Sequence, residues 1–189
     1  MLMPGQMTAA FQPYWDEIDR CRQAKTYWSL LHVTVCLPDI CAALESQNGE
    51  TSAQLYKAWC DKYLTHPNFL SAERYRMRCK VLHQGRAATD QAGRYTGFAF
   101  GQPSDTGHVD HMRIEANVLH LDVGELSRET KSAIESWIRA LEANATSPEA
   151  TNVERNITSL VRVSKTQVQV FTPAPPGTQP MIVTINKTN

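Results

Sequence analysis

The sequence has no surplus of either charge: 19 Lys and Arg balance 19 Asp and Glu over 189 residues. A protein that coats nucleic acid needs a strong cationic excess, so that class is excluded and any polyanion must meet a local basic patch. No secretory leader is expected either. The opening Met1-Leu-Met-Pro-Gly-Gln-Met7 has neither a charged head nor an apolar body. The apolar stretches read as shorter than the ~20 residues of a membrane span, so no membrane association is expected. Neither GxxxxGK[ST] nor GxGxxG occurs, which argues against phosphate-loop and dinucleotide chemistry. The cysteines (Cys21, Cys36, Cys41, Cys60 and Cys79) are odd in number and include no CxxC pair. They read as reduced core thiols of a cytoplasmic protein. The Asn-x-Thr triplets at Asn144, Asn156 and Asn186 then carry no glycan meaning. His108 and His111, with Asp105 nearby, read as incidental loop residues, because no third histidine or Cys pair completes a zinc set. No metal and no cofactor is expected.

What is present is an ordinary globular composition, 42% hydrophobic and 20% charged. The length suits one compact domain, or one domain with a small appendage. Phe11, Tyr14, Trp15, Ile18 and Cys21 recur at three- and four-residue steps and predict an amphipathic helix. Residues 27–44 are apolar almost all round, as for a central helix, with a kink or break expected at Pro38. A third helix begins after Ser52, a good N-cap, and ends near His66-Pro67-Asn68. A fourth runs from about Ser71 to a stop at Gly85.

Beyond Gly85 the texture changes. Gly93 to Gly107 mixes glycine with aromatics and suggests a short hairpin or loop, and Met112 to Val118 alternates like a strand. An amphipathic helix follows from about Ser127, on Ile134, Trp137, Ile138 and Leu141. Residues 144–156 are loop-like. Leu160 to Phe171 reads as β with a hairpin at Ser164-Lys165, 172–177 as a linker, and Met181 to Ile185 as a last strand. The expected fold is mainly α: a helical bundle over residues 8–142, with a β insertion at about 93–123 and a β/loop C-terminal extension over 143–189.

The segment Tyr75-Arg-Met-Arg-Cys-Lys-Val-Leu-His-Gln-Gly-Arg86 carries the chemistry. At roughly 100° per residue, Tyr75, Met77, Cys79, Val81 and Leu82 span one broad apolar arc. Arg76 and Lys80 fall opposite, toward solvent, but Arg74 and Arg78 fall inside the arc, and His83 lies at its edge. A guanidinium keeps its proton, so an inward arginine needs a carboxylate, carbonyls, water or another chain. Acidic candidates on the earlier helices are Asp16, Glu17, Asp39 and Glu45. A structural ion pair and a functional arginine both satisfy this pattern.

Arg78-Cys-Lys-Val-Leu-His83 resembles the motif of the HEPN superfamily, an arginine followed after four to six residues by a histidine near a helix end. Leu37-Pro-Asp-Ile-Cys-Ala-Ala-Leu-Glu45 also looks like uncharacterised bacterial HEPN-like proteins. The resemblance covers roughly residues 8–85. It implies a helical homodimer that brings two motifs to one cleft, and a metal-independent endoribonuclease of toxin or antiviral defence systems, with an antitoxin or other partner protein. Arg78 would clamp phosphate and His83 would move the proton, with Arg74, Lys80 and Arg86 completing an RNA-binding patch. Family members commonly have Asn, Asp or His directly after the arginine, where this chain has Cys79. The resemblance therefore also admits a catalytically silent module that binds a nucleotide or a protein, or a structural dimerisation domain.

Overall fold

The computed structural model describes residues 5–88, 93–103, 109–160, 168–171 and 182–185. The chain forms two compact units, residues 1–159 and 160–189. The first holds α1 (Gln6–Gln23), α2 (Tyr27–Glu45), α3 (Ala53–Tyr63), α4 (Ser71–Gln84), β1 (Gly97–Gly101), β2 (Arg113–Glu115), β3 (Val118–Asp122), α5 (Val123–Ala143), α6 (Pro148–Asn156) and a closing 3₁₀ turn. In the second, β4 (Val168–Phe171) pairs antiparallel with β5 (Ile182–Ile185). The fold is thus mainly α with a small sheet. The linker at 172–177, the hairpin at Ser164-Lys165 and the loop residues Asp105 and His108 lie outside the described residues.

Helix α2 is the centre of the bundle and packs against α1, α3, α4, α5 and α6. Leu30, Leu31, Val35, Leu37, Cys41 and Leu44 are all buried, which matches its apolar circumference. The helix does not break at Pro38. The proline lacks the N–H that would reach the Thr34 carbonyl, but its ring is buried with Leu37 and Cys41, and that packing carries the helix across the missing bond. This length of α2 corrects the reading that no apolar stretch approaches a membrane span. By length and composition Tyr27–Glu45 would suffice, although half of it is buried inside the protein, as in a core helix.

Three further expectations need correction. Residues 112–118 are not one strand: Ala116 and Asn117 both have left-handed backbone (φ 47° and 64°) and turn β2 back onto β3. Alternation cannot reveal such a turn when apolar residues continue past it. Within Gly93 to Gly107, where a short hairpin or loop was expected, residues 97–101 form β1, which runs parallel to β3 in the order β1-β3-β2. Helix α5 starts at Val123 rather than Ser127, because the Asp122 carboxylate caps it by accepting from Glu125 N–H at 2.8 Å.

Residues 144–156 also depart from a loop. Ser147 accepts from Ala150 N–H at 3.1 Å, Pro148 follows at the first turn, and α6 buries Ala150 and Val153, with Ile157 buried just beyond its end. Asn152 donates to the Glu45 carbonyl at 2.9 Å, and Asn156 to those of Leu44 and Ser46 at 3.0 and 2.8 Å. Residues 143–159, taken from composition as the start of the extension, therefore pack with the bundle.

Trp137 on α5 locks the helices together. It is fully buried, meets Phe11 and Trp59 edge-on at 5.8 and 6.2 Å, and donates its indole N–H to Glu45 at 2.7 Å. Trp137→Ala opens a cavity and leaves Glu45 without that donor. It is expected to lower the unfolding free energy by about 3–5 kcal/mol. Urea denaturation followed by circular dichroism checks this; a loss below about 1 kcal/mol would contradict the packing argument.

Candidate functional site

Helix α4 ends as the glycine stop requires. Gly85 takes the left-handed conformation (φ 58°), where a side chain would be strained, and Arg86 N–H returns to the Lys80 carbonyl at 3.1 Å. This places His83 on the last, exposed turn. Arg78, just over one turn earlier, directs Nη1 to His83 Nε2 at 2.9 Å, while its Nε donates to the Asp39 carboxylate of α2. Nη1 also lies 3.8 Å from the Cys79 sulfur. A guanidinium has no lone pair to offer, so His83 accepts through Nε2 and its own proton sits on Nδ1.

The electrostatics of the pair are unequal. Arg78 and Asp39 are 19% and 13% exposed, so each keeps a limited path to water. Burial works against the Arg78 cation, yet Asp39 and Cys79 outweigh it, and its pKa is raised. Burial also raises the Asp39 carboxyl, by more than Arg78 and His83 lower it. The cost of desolvation thus falls on Asp39, and Arg78 is held charged.

The other expected site residues are placed differently. Arg74 lies within the bundle, 3% exposed: its Nε donates to the Phe69 carbonyl at 3.1 Å and its guanidinium covers the Phe69 ring at 4.2 Å. Its second contact is Glu129 of α5, with Nη2 to Oε2 at 3.8 Å. Lys80 is buried rather than solvent-facing, and its ammonium donates to Gln84 at 3.2 Å. The segment leading into β1 explains this. A Cβ on Gly93 would sit 1.8 Å from an Arg76 nitrogen, and Tyr95 feels the Glu73 charge, so this segment covers the Glu73–Arg76–Lys80 side of α4. Arg86 is exposed beyond the helix end. Arg78 and His83 meet directly; Arg74 does not join them.

No family model, curated protein or solved structure matches this chain. The site is therefore read from its own geometry.

A second cluster escaped the sequence reading. His111 is not an incidental loop histidine: its Nδ1 accepts from Asp122 N–H at 3.1 Å, and its Nε2 lies 3.2 Å from Glu129 Oε1. The latter is a close polar approach without hydrogen-bond alignment, since Nε2 has no hydrogen-bond partner among the described residues. Burial would raise the Glu129 carboxyl, but the neighbouring His111 and Arg74 outweigh it and hold it below the usual carboxylate range. The spacing of Glu129 on an amphipathic helix resembled that of any half-exposed acid, and nothing local tied it to residues 74 and 111.

The native state thus favours the ionised Glu129, so on acidification the unfolded chain takes up this proton first. The stability it contributes is present above the ordinary carboxyl value of 4.5 and is lost as pH falls through the lower native value. The stability difference between wild type and Glu129→Gln should therefore shrink from about pH 7 to about pH 3. Urea titrations at each pH measure it, and a constant difference would contradict the direction of the shift.

Proposed function

We propose that the chain is a metal-independent endoribonuclease, of the kind the HEPN resemblance implies, acting through Arg78 and His83. The observation that carries this reading is the 2.9 Å contact between Arg78 Nη1 and His83 Nε2 on an exposed helix end. In the proposed reaction the ribose 2′-hydroxyl attacks the adjacent phosphorus. His83 Nε2 takes the hydroxyl proton once the phosphate oxygens have drawn the guanidinium onto themselves. The P–O5′ bond breaks and the 5′-oxygen takes a proton from water, or from the imidazolium just formed at His83, giving a 2′,3′-cyclic phosphate and a 5′-hydroxyl. Asp39 acts as a positioning residue. It holds the guanidinium by Nε and leaves the Nη edge toward His83 and the incoming phosphate.

The expected assembly is a homodimer that brings two such sites together. Trp28, 63% exposed, meets the His32 ring at 4.7 Å in a tilted contact, and both share the α2 face of Asp39 by their spacing. A toxin or defence role, an antitoxin partner and a cytoplasmic location belong to the same proposal. A second reading, a catalytically silent nucleotide- or protein-binding module, is favoured by the Asp39 ion pair and by Cys79 in the place of a polar residue.

His83 is exposed, so His83→Ala should leave the circular dichroism and melting curve unchanged. RNA cleavage in EDTA should fall about 10²–10⁴-fold. Equal cleavage by both proteins would remove the catalytic assignment. If neither cleaves but wild type binds RNA with a steep salt dependence, the silent module is the correct reading.

A further inference from the structure

A cavity of about 430 Å³ lies between α3, α4 and α5, within the range of small-molecule sites. Its wall includes Tyr63, His66, Arg74, Glu129, Ser132 and Ser136. Arg74 is the unusual member. Its Nε is satisfied by the Phe69 carbonyl, but the 3.8 Å separation of Nη2 from Glu129 is too long for a hydrogen bond. The Nη groups of a 97%-buried guanidinium therefore donate to no hydrogen-bond acceptor among the described residues, 3% of the residue remaining exposed. These N–H groups are not sealed from solvent, and they line a cavity open to an acceptor. Glu129 Oε2 beside them is itself buried without a hydrogen-bond partner among the described residues, while the side chain as a whole is 34% exposed at the cavity wall.

The charges select the ligand. Arg74 faces Glu129, and Arg128 at the rim is paired with Glu125, so the cavity is close to neutral and does not favour a phosphate. It favours a molecule presenting adjacent acceptors to a guanidinium fork and adjacent donors to a carboxylate. Among the nucleobases guanine has that arrangement. O6 and N7 form an acceptor pair suited to arginine, and the neighbouring N1–H and N2–H₂ form a donor pair suited to a carboxylate. Adenine alternates donor and acceptor on both edges, which suits an amide side chain instead. Tyr63 and His66 are the aromatic members of the lining.

We infer that this cavity binds guanine, with Arg74 reading the O6/N7 side and Glu129 the N1–H/N2–H₂ side. The choice of a nucleobase rests on the ribonuclease reading above; the choice of guanine rests on the Arg74–Glu129 pair.

Isothermal titration of the full chain with GMP, AMP, CMP and UMP tests it. GMP should bind at least about tenfold more tightly than the other three. Glu129→Gln should remove that preference, and Ser132→Phe, which fills the cavity without touching either charged group, should abolish binding while the circular dichroism is retained. Equal affinities for the four nucleotides, no GMP binding at millimolar concentration, or GMP binding unaffected by Ser132→Phe would each overturn the assignment. Free nucleotide and guanine within RNA share the same edge. Titrating His83→Ala with a uridine oligomer carrying one guanine separates them: tighter binding than GMP assigns the site to RNA, and equal or weaker binding assigns it to free nucleotide. Titration needs no cleavage, so a protein that binds GMP but cuts nothing refutes only the nuclease. One that cuts RNA without preferring GMP refutes only the guanine site.

Discussion

Two permanently charged groups, one helical turn apart on the inward side of α4, set the terms for the rest of the bundle. Neither arginine can discard its proton, so each needs a carboxylate from another helix. Asp39 of α2 serves Arg78, and Glu129 of α5 serves Arg74. With its two inward arginines tied to different neighbours, α4 cannot rotate about its axis without leaving one cation unpaired in the interior. The two pairs differ in consequence. The outer one opens on an exposed histidine; the inner one closes on an aromatic ring and borders a cavity.

The same helix has little solvent face to spare. Glu73, Arg74 and Lys80 are buried alongside Met77 and Val81, a composition that would not be stable as an isolated amphipathic helix. It is tolerable because each side of α4 has its own cover: α2 and α3 over the aromatic and thiol side, and the strand-forming segment over the Glu73 side. The small sheet is thus part of what keeps the charged helix in place. Phe98 of β1 meets Phe69 at 6.0 Å, and Phe69 in turn carries the Arg74 guanidinium.

How much of this could be read beforehand depended on whether the cause was local. The apolar steps from Phe11 to Cys21, the Ser52 cap and the Gly85 stop are properties of a few adjacent residues, and α1, α3 and α4 lie where these place them. Helix α6 has only short apolar spacing at Ala150, Val153 and Ile157, and depends on partners around residue 45, so its sequence resembles a loop. The inward turn of Arg78 followed from periodicity, and Asp39 stood among four candidate acids. Choosing it required knowing which face of α2 meets α4. The Glu129–His111 contact joins a helix to a loop, and no pattern within either segment announces it.

The hydrogen bonds from α6 to the end of α2 have a bearing on how the chain is made. The final carbonyls of α2, at Leu44 and Glu45, and that of Ser46 receive donors from Asn152 and Asn156, more than a hundred positions later. During synthesis the central helix must wait with that end solvated until residue 156 has left the ribosome. The last carbonyls of the central helix therefore gain these partners only after α6 has been made, and a chain interrupted before Ser147 would lack the donors that close it.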